Sequence, residues 1–271
     1  MRLPAPAEHT PRDDNPGCPL NRIRDKDFLR IDEHSTDVIR IVYKFQAQDG
    51  TERQFETILD GKTLSLRNDV APQLPAWTKL SFQQCENCPL GTDVERCPVA
   101  VNLSGLIDAF KFSTSYENVF VVVDTPERSY AKETSIQNAL SSLMGIYMVT
   151  SNCPVLDKLR PMVRFHLPFA SATETVYRAV TMYLLAQYFR KQKGEPVDWD
   201  MEKLVDIYRE VSRVNKGMWN RLSAASSFDA NVNALIVLNT FGDALRFSIK
   251  KGLDDLERLF GNYLDDGGPP R

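Results

Sequence analysis

The chain is 271 residues long, enough for one large domain or two small ones, and 42% of it is apolar, which supplies a sizeable core. Its formal charge of -3 at pH 7 argues against broad, non-specific binding to nucleic acid or to an anionic membrane. No apolar run approaches the roughly eighteen residues of a membrane helix, and the opening MRLPAPAEHTPRDDNPG lacks the apolar core of a signal peptide. These features point to a cytoplasmic protein whose thiols stay reduced, so that clustered cysteines read as ligands before disulfides.

Residues 1–36 carry Pro4, Pro6, Pro11 and Pro16 among many charges and read as a flexible tail that includes Cys18. From Val38 the pattern changes. Ile39, Ile41, Tyr43 and Phe45 alternate with Arg40, Val42 and Lys44, as one face of a strand requires. Asp49-Gly50 supplies a turn, and TERQFETIL resumes the alternation, so Val38–Leu59 is predicted to be a β-hairpin. A short strand is expected at Thr63–Leu66. Residues 70–104 hold Pro72, Pro75, Pro89 and Pro98 and three cysteines, which argues against helix over most of the stretch. A loop this long inside a compact domain needs something to organise it, and a metal is the simplest organiser.

Phe110–Phe112 and Val119–Asp124 read as two further strands, the second a buried VFVVV run, and the remainder as helical. Ile136, Leu140, Leu143 and Tyr147 fall at helical spacing. Ser171 with Glu174 forms a capping box for the next helix, which Gly194 stops. Asp200 is expected to cap a helix with Leu204, Tyr208, Val211 and Met218 inward, and two more helices are expected around Ala230–Lys250 and Leu253–Tyr263. The predicted architecture is α+β: a small antiparallel N-terminal sheet with a cysteine-rich metal loop, followed by a C-terminal helical bundle. The expected division is a tail over 1–36, a β-rich domain over 37–130, a helical domain over 131–264 and a disordered tail over 265–271.

The chemistry centres on Cys85, Cys88, Cys97 and Cys153. Two cysteines separated by two residues point both thiolates at one ion, and four thiolates suit the tetrahedral preference of zinc. Iron–sulfur clusters also take four cysteines. Proline follows Cys88, Cys97 and Cys153, as it follows ligands in ferredoxin sequences, and this brings the iron–sulfur alternative close behind zinc. Cys153 is the outlying member, with His166 and Cys18 as rivals for its place. Buried free thiols are the plain alternative.

A weaker candidate is an anion site formed by Arg160, Arg164 and His166, with Arg160 and Arg164 four residues apart and sharing a helical face. A solvated basic face is its plain counterpart. Glu202, Asp206 and Glu210 read as the wet side of a helix. There is no phosphate loop, no GxGxxG, no HExxH and no GxSxG, and no catalytic residue is assigned.

The segments CENCPL, RCPVAVNL and SYAKETSIQNALSSLMGIYMVTSNCPVLDKLRPMVRFHLPFAS, with ETVYRAVTMYLLAQYF, resemble an uncharacterised bacterial family filed as a domain of unknown function. The resemblance covers most of the chain after the tail. It implies a bacterial, cytosolic protein and carries no activity, substrate or site. From the residues, the leading expectation is a regulatory or protein-interaction protein held by a structural four-cysteine zinc site, with a protein partner or a second copy on its helical half. An iron–sulfur redox or sensor protein is the first alternative. An enzyme acting on an anionic substrate near Arg160, Arg164 and His166 is the second.

Overall fold

The computed structural model describes residues 38–67, 73–225 and 229–264. The tails expected at 1–36 and 265–271, together with Cys18, lie outside the described residues. The fold is α+β. A four-stranded antiparallel sheet in the order β2-β1-β3-β4 is backed by helices that make up most of the C-terminal part.

β1 (Val38–Ala47) and β2 (Glu52–Asp60) form the expected hairpin, in the register Val38↔Asp60 to Gln46↔Glu52, and Gly50 takes the positive φ of its turn. β3 (Asn118–Asp124) pairs with the other edge of β1, placing Val121 opposite Phe45 and Val123 opposite Tyr43. Alternation explains the result: Ile39, Ile41, Tyr43, Phe45, Val119, Val121 and Val123 all turn to one buried face. β4 (Ser129–Ser135) lies in a stretch expected to be helical. Its side chains are polar and largely exposed, as an edge strand permits, and pairing with the apolar β3 decides its conformation.

Two other expectations change. Phe110–Phe112 is not a strand. A helix, α1 (Pro98–Ala109), occupies the end of the cysteine-rich stretch and finishes at Phe110. Pro98 at its first turn is compatible with helix, because the missing N–H has no partner there anyway. Val99, Ala100, Leu103, Leu106 and Ile107 then share a buried face. Phe110 packs between Phe45 and Phe55, with centroids 5.1 and 5.5 Å away. Thr63–Leu66 contributes only an isolated bridge from Leu66 to Leu59.

α2 (Ile136–Val149) and the short α3 (Pro161–Arg164) lead to α4 (Ala172–Gln192), which opens with both halves of the capping box between Ser171 and Glu174. Gly194, at φ 70°, ends this helical segment. α5 (Glu202–Ala225) is capped by Asp198 rather than Asp200. The Asp198 carboxylate accepts from the N–H groups of Glu202 and Lys203 and from the Tyr183 hydroxyl. α6 (Asp229–Lys250) packs on α5 and α2. The single helix expected over Leu253–Tyr263 is broken into α7 (Asp254–Glu257), a 3-10 turn and α8 (Gly261–Leu264). Sheet and helices share one continuous core from Ile39 to Leu256. No helix among the described residues is long and apolar enough to cross a membrane.

Candidate metal centre

The stretch before α1 is folded back on itself. The N–H of Cys97 donates to Thr78 O (2.8 Å), that of Leu80 donates to Glu95 O (2.9 Å), and Lys79 bridges Arg96. Arg96 Nη1 also donates to Thr78 Oγ1 at 2.7 Å. Between these arms lies the CENC knuckle, closed by the Cys88 N–H on Cys85 O. Asn87 anchors the knuckle to α5 by donating to the carboxylate and the backbone carbonyl of Glu210. Cys85 lies against Gly217, one turn before Arg221 on the same helix.

Cys97 occupies the N-cap of α1, where the helix dipole favours negative charge. Cys153 follows α2, in a turn set by Asn152 at φ 64°. Its sulfur accepts from the backbone N–H groups of Leu156 and Val155. The proline after Cys153 therefore does not leave the sulfur bare, since the next two amides serve it.

The four thiols lie within electrostatic reach of one another. Burial pushes the Cys85 thiol up to about 12, Cys97, Cys88 and Cys153 add to the rise, and Arg221 opposes it. Burial raises Cys153 as well, against its backbone hydrogen bonds, and Cys97 and Cys88 act in the same upward direction. Cys97 and Cys153 are buried, while Cys85 and Cys88 keep partial exposure. Among the described residues, no group of three or more His, Cys, Asp and Glu side chains is disposed to hold a metal ion as it stands.

Arg221 is the residue that sequence reading missed. It is 1% exposed, and its Nη atoms donate to the carbonyls of Trp77, Lys79, Leu80 and Gln83. One guanidinium thus holds the arm leading into the CENC knuckle. Burial depresses its pKa, and Cys97, Cys85 and Cys88 support its charge. Its Nε is buried without a hydrogen-bond partner. The available signal was an arginine in register with Val214, Met218 and Leu222, on the apolar face of its helix.

Of the three members of the weaker anion candidate, Arg164 and His166 border one small cavity while Arg160 is engaged elsewhere. Arg160 donates to Thr63 O, Ser65 Oγ and Asn152 Oδ1 and pairs with Asp157. Arg164 pairs with Glu127 at 2.8 Å. His166 turns inward, with Nε2 2.6 Å from Tyr43 Oη, which itself lies 2.8 Å from Ser142 Oγ. Burial, reinforced by Arg178, lowers the His166 pKa to about 3 and keeps the ring neutral. Glu202 is exposed, and Asp206 and Glu210 form ion pairs with Arg209 and Arg213 along the outside of α5.

No curated protein and no solved structure matches the chain. A family model described as a domain of unknown function (DUF6901) matches residues 41–261, which takes in most of the sheet, Cys85, Cys88, Cys97 and Cys153, and the long helices α4, α5 and α6. The chain belongs to this family.

Proposed function

We propose that Cys85, Cys88, Cys97 and Cys153 together bind one metal centre, and that the protein acts in regulation or protein interaction with that centre as its fastening. Arg221 carries the reading. A cation this deeply buried calls for a compensating negative charge, and its electrostatic neighbours are the thiols Cys97, Cys85 and Cys88. Protonated thiols are neutral and offer none. A metal deprotonates its cysteine ligands, and four thiolates around one centre leave net negative charge beside the guanidinium. The Nε–H of Arg221 is itself buried and without an acceptor.

Of the two kinds of centre, the Cys-Pro pairs lead us to put an iron–sulfur cluster before zinc. Zinc draws four sulfurs to about 2.3 Å from a single point. A cluster spreads its four cysteine ligands over a wider cage. The prolines after Cys88, Cys97 and Cys153 agree with it. Exposed Tyr177, Leu185, Tyr188 and Phe189 along α4 support a protein partner or a second copy on the helical side.

The test is metal and sulfide analysis with an absorption spectrum on protein purified without oxygen. The expected preparation is brown, contains iron and acid-labile sulfide, and bleaches with dithionite. One equivalent of zinc in colourless protein would retain the four-cysteine site and replace the cluster. Metal-free protein that melts identically with and without added iron or zinc would end the proposal.

A further inference from the structure

A second feature lies away from the cysteines. A cleft of about 570 Å³ opens between α2, α4, α5 and α6, within the size range of small-molecule sites. Its walls are mainly apolar, with Ile146, Met162, Val211 and Leu238 among them. Gly145 and Gly242 line it, each with room for a Cβ only in ordinary van der Waals contact. A Cβ on Gly145 would come no nearer than 3.5 Å to Leu238, and one on Gly242 no nearer than 3.6 Å to Tyr208.

We infer that this cleft is a binding site for an apolar monocarboxylate, whose charged end is received by Arg178. Three observations converge on it. Arg178 is held in place from behind, since one of its terminal nitrogens donates to both Met162 O and Phe165 O at 2.9 Å. Among the described residues its other guanidinium nitrogens carry no hydrogen bond and no ion pair engages the half-buried side chain, with Glu174 only within electrostatic reach. The Nη1 and Nε N–H groups left over can each give a carboxylate one charge-assisted hydrogen bond, from a side chain whose ordering is already complete.

The charges around the cleft leave one positive charge over. Lys132 and Arg178 line it, and Glu174 is the acidic residue among its walls. The Glu174 carboxylate is committed to the Ser171 N–H in the α4 capping box. Nearby His166 adds no charge, being neutral and engaged with Tyr43. A ligand bearing a single negative charge balances the set, whereas a doubly charged phosphate would leave an excess in a largely apolar enclosure.

His166 and Arg178 also wall a second cavity of about 270 Å³, bordered by Tyr130, Arg164 and Phe165. The sequence expected an anion near His166 and placed Arg160 and Arg164 around it. The structure moves the cation of interest to Arg178, nearly two turns into α4.

The experiment is calorimetric titration of the full-length protein with octanoate and, separately, with octan-1-ol, whose chain is the same length. Octanoate is expected to bind at least about tenfold more tightly, the difference that one charge-assisted hydrogen bond supplies. Arg178→Gln should remove that advantage and leave the octan-1-ol affinity unchanged, and Arg178→Lys should restore part of it. Equal affinity for acid and alcohol, retention of the advantage in Arg178→Gln, or no binding of octanoate would each overturn the assignment. Should Arg178→Gln fail to fold, Arg178→Lys carries the test, and an acid advantage undiminished in it would overturn the assignment to Arg178.

Discussion

Gly217 and Cys85 stand so close that no side chain fits between them. A Cβ on Gly217 would lie 2.5 Å from Cys85 Sγ and 3.1 Å from its Cα. Glycine in mid-helix normally weakens a helix by about 1 kcal/mol relative to alanine, so Gly217→Ala should stabilise α5 taken alone. In the whole protein the sign is expected to reverse. The knuckle must move off α5, at a cost of about 1–3 kcal/mol, and metal content should fall with it. Urea unfolding and elemental analysis of Gly217→Ala check both. A gain in stability with full metal content would contradict the docking of Cys85 on α5.

Arg221 satisfies four carbonyls at once, and no other side chain offers that fork. Arg221→Met keeps most of the packing and removes the side-chain donors from all four carbonyls, with Lys79 O keeping the Phe82 N–H. A loss of about 3 kcal/mol or more is expected. Arg221→Lys should recover only part, because one ammonium cannot reach all four. Thermal melts of the three proteins, with protease digestion to locate any loosening in residues 73–97, give the ranking.

His166 makes stability depend on pH. Its folded pKa of about 3 lies below the ordinary histidine value, so in the window between them the unfolded chain binds a proton that the folded one does not. Stability is therefore complete above pH 6.5 and declines as pH falls toward 3, by about 1.4 kcal/mol per unit in mid-window. Denaturant melts from pH 7 to 5 should show a loss of about 2 kcal/mol that His166→Gln lacks. Parallel profiles for the two proteins would show that His166 is not buried in neutral form.

The sheet hairpin, β3, α2 and the cap of α4 were legible because each rests on a local rule. Alternation along Ile39 to Phe45, a Gly50 turn and the Ser171–Glu174 exchange are complete within a few residues. β4 was not legible, because SYAKETS owes its conformation to β3 beside it rather than to its own side chains. Prolines hid α1, since Pro98 breaks a helix interior and also begins one. The cysteine positions were visible in the sequence, but the residues that seat them were not. Gly217 and Arg221 act through contacts more than a hundred residues away in the chain, and no spacing rule reports those. Arg178 escaped notice for a similar reason. Its partners, Met162 O and Phe165 O, are backbone atoms of a turn that the sequence does not announce.

The position of α5 in the chain bears on how the protein is made. Synthesis delivers Cys85, Cys88, Cys97 and Cys153 first, and Gly217 and Arg221 only afterwards. Until α5 leaves the ribosome, the four thiols have neither the seat for Cys85 nor the cation that holds the strand before it. A nascent chain therefore passes through an interval in which its cysteines lack that seat, and filling of the proposed centre would be a late event that reports completed folding.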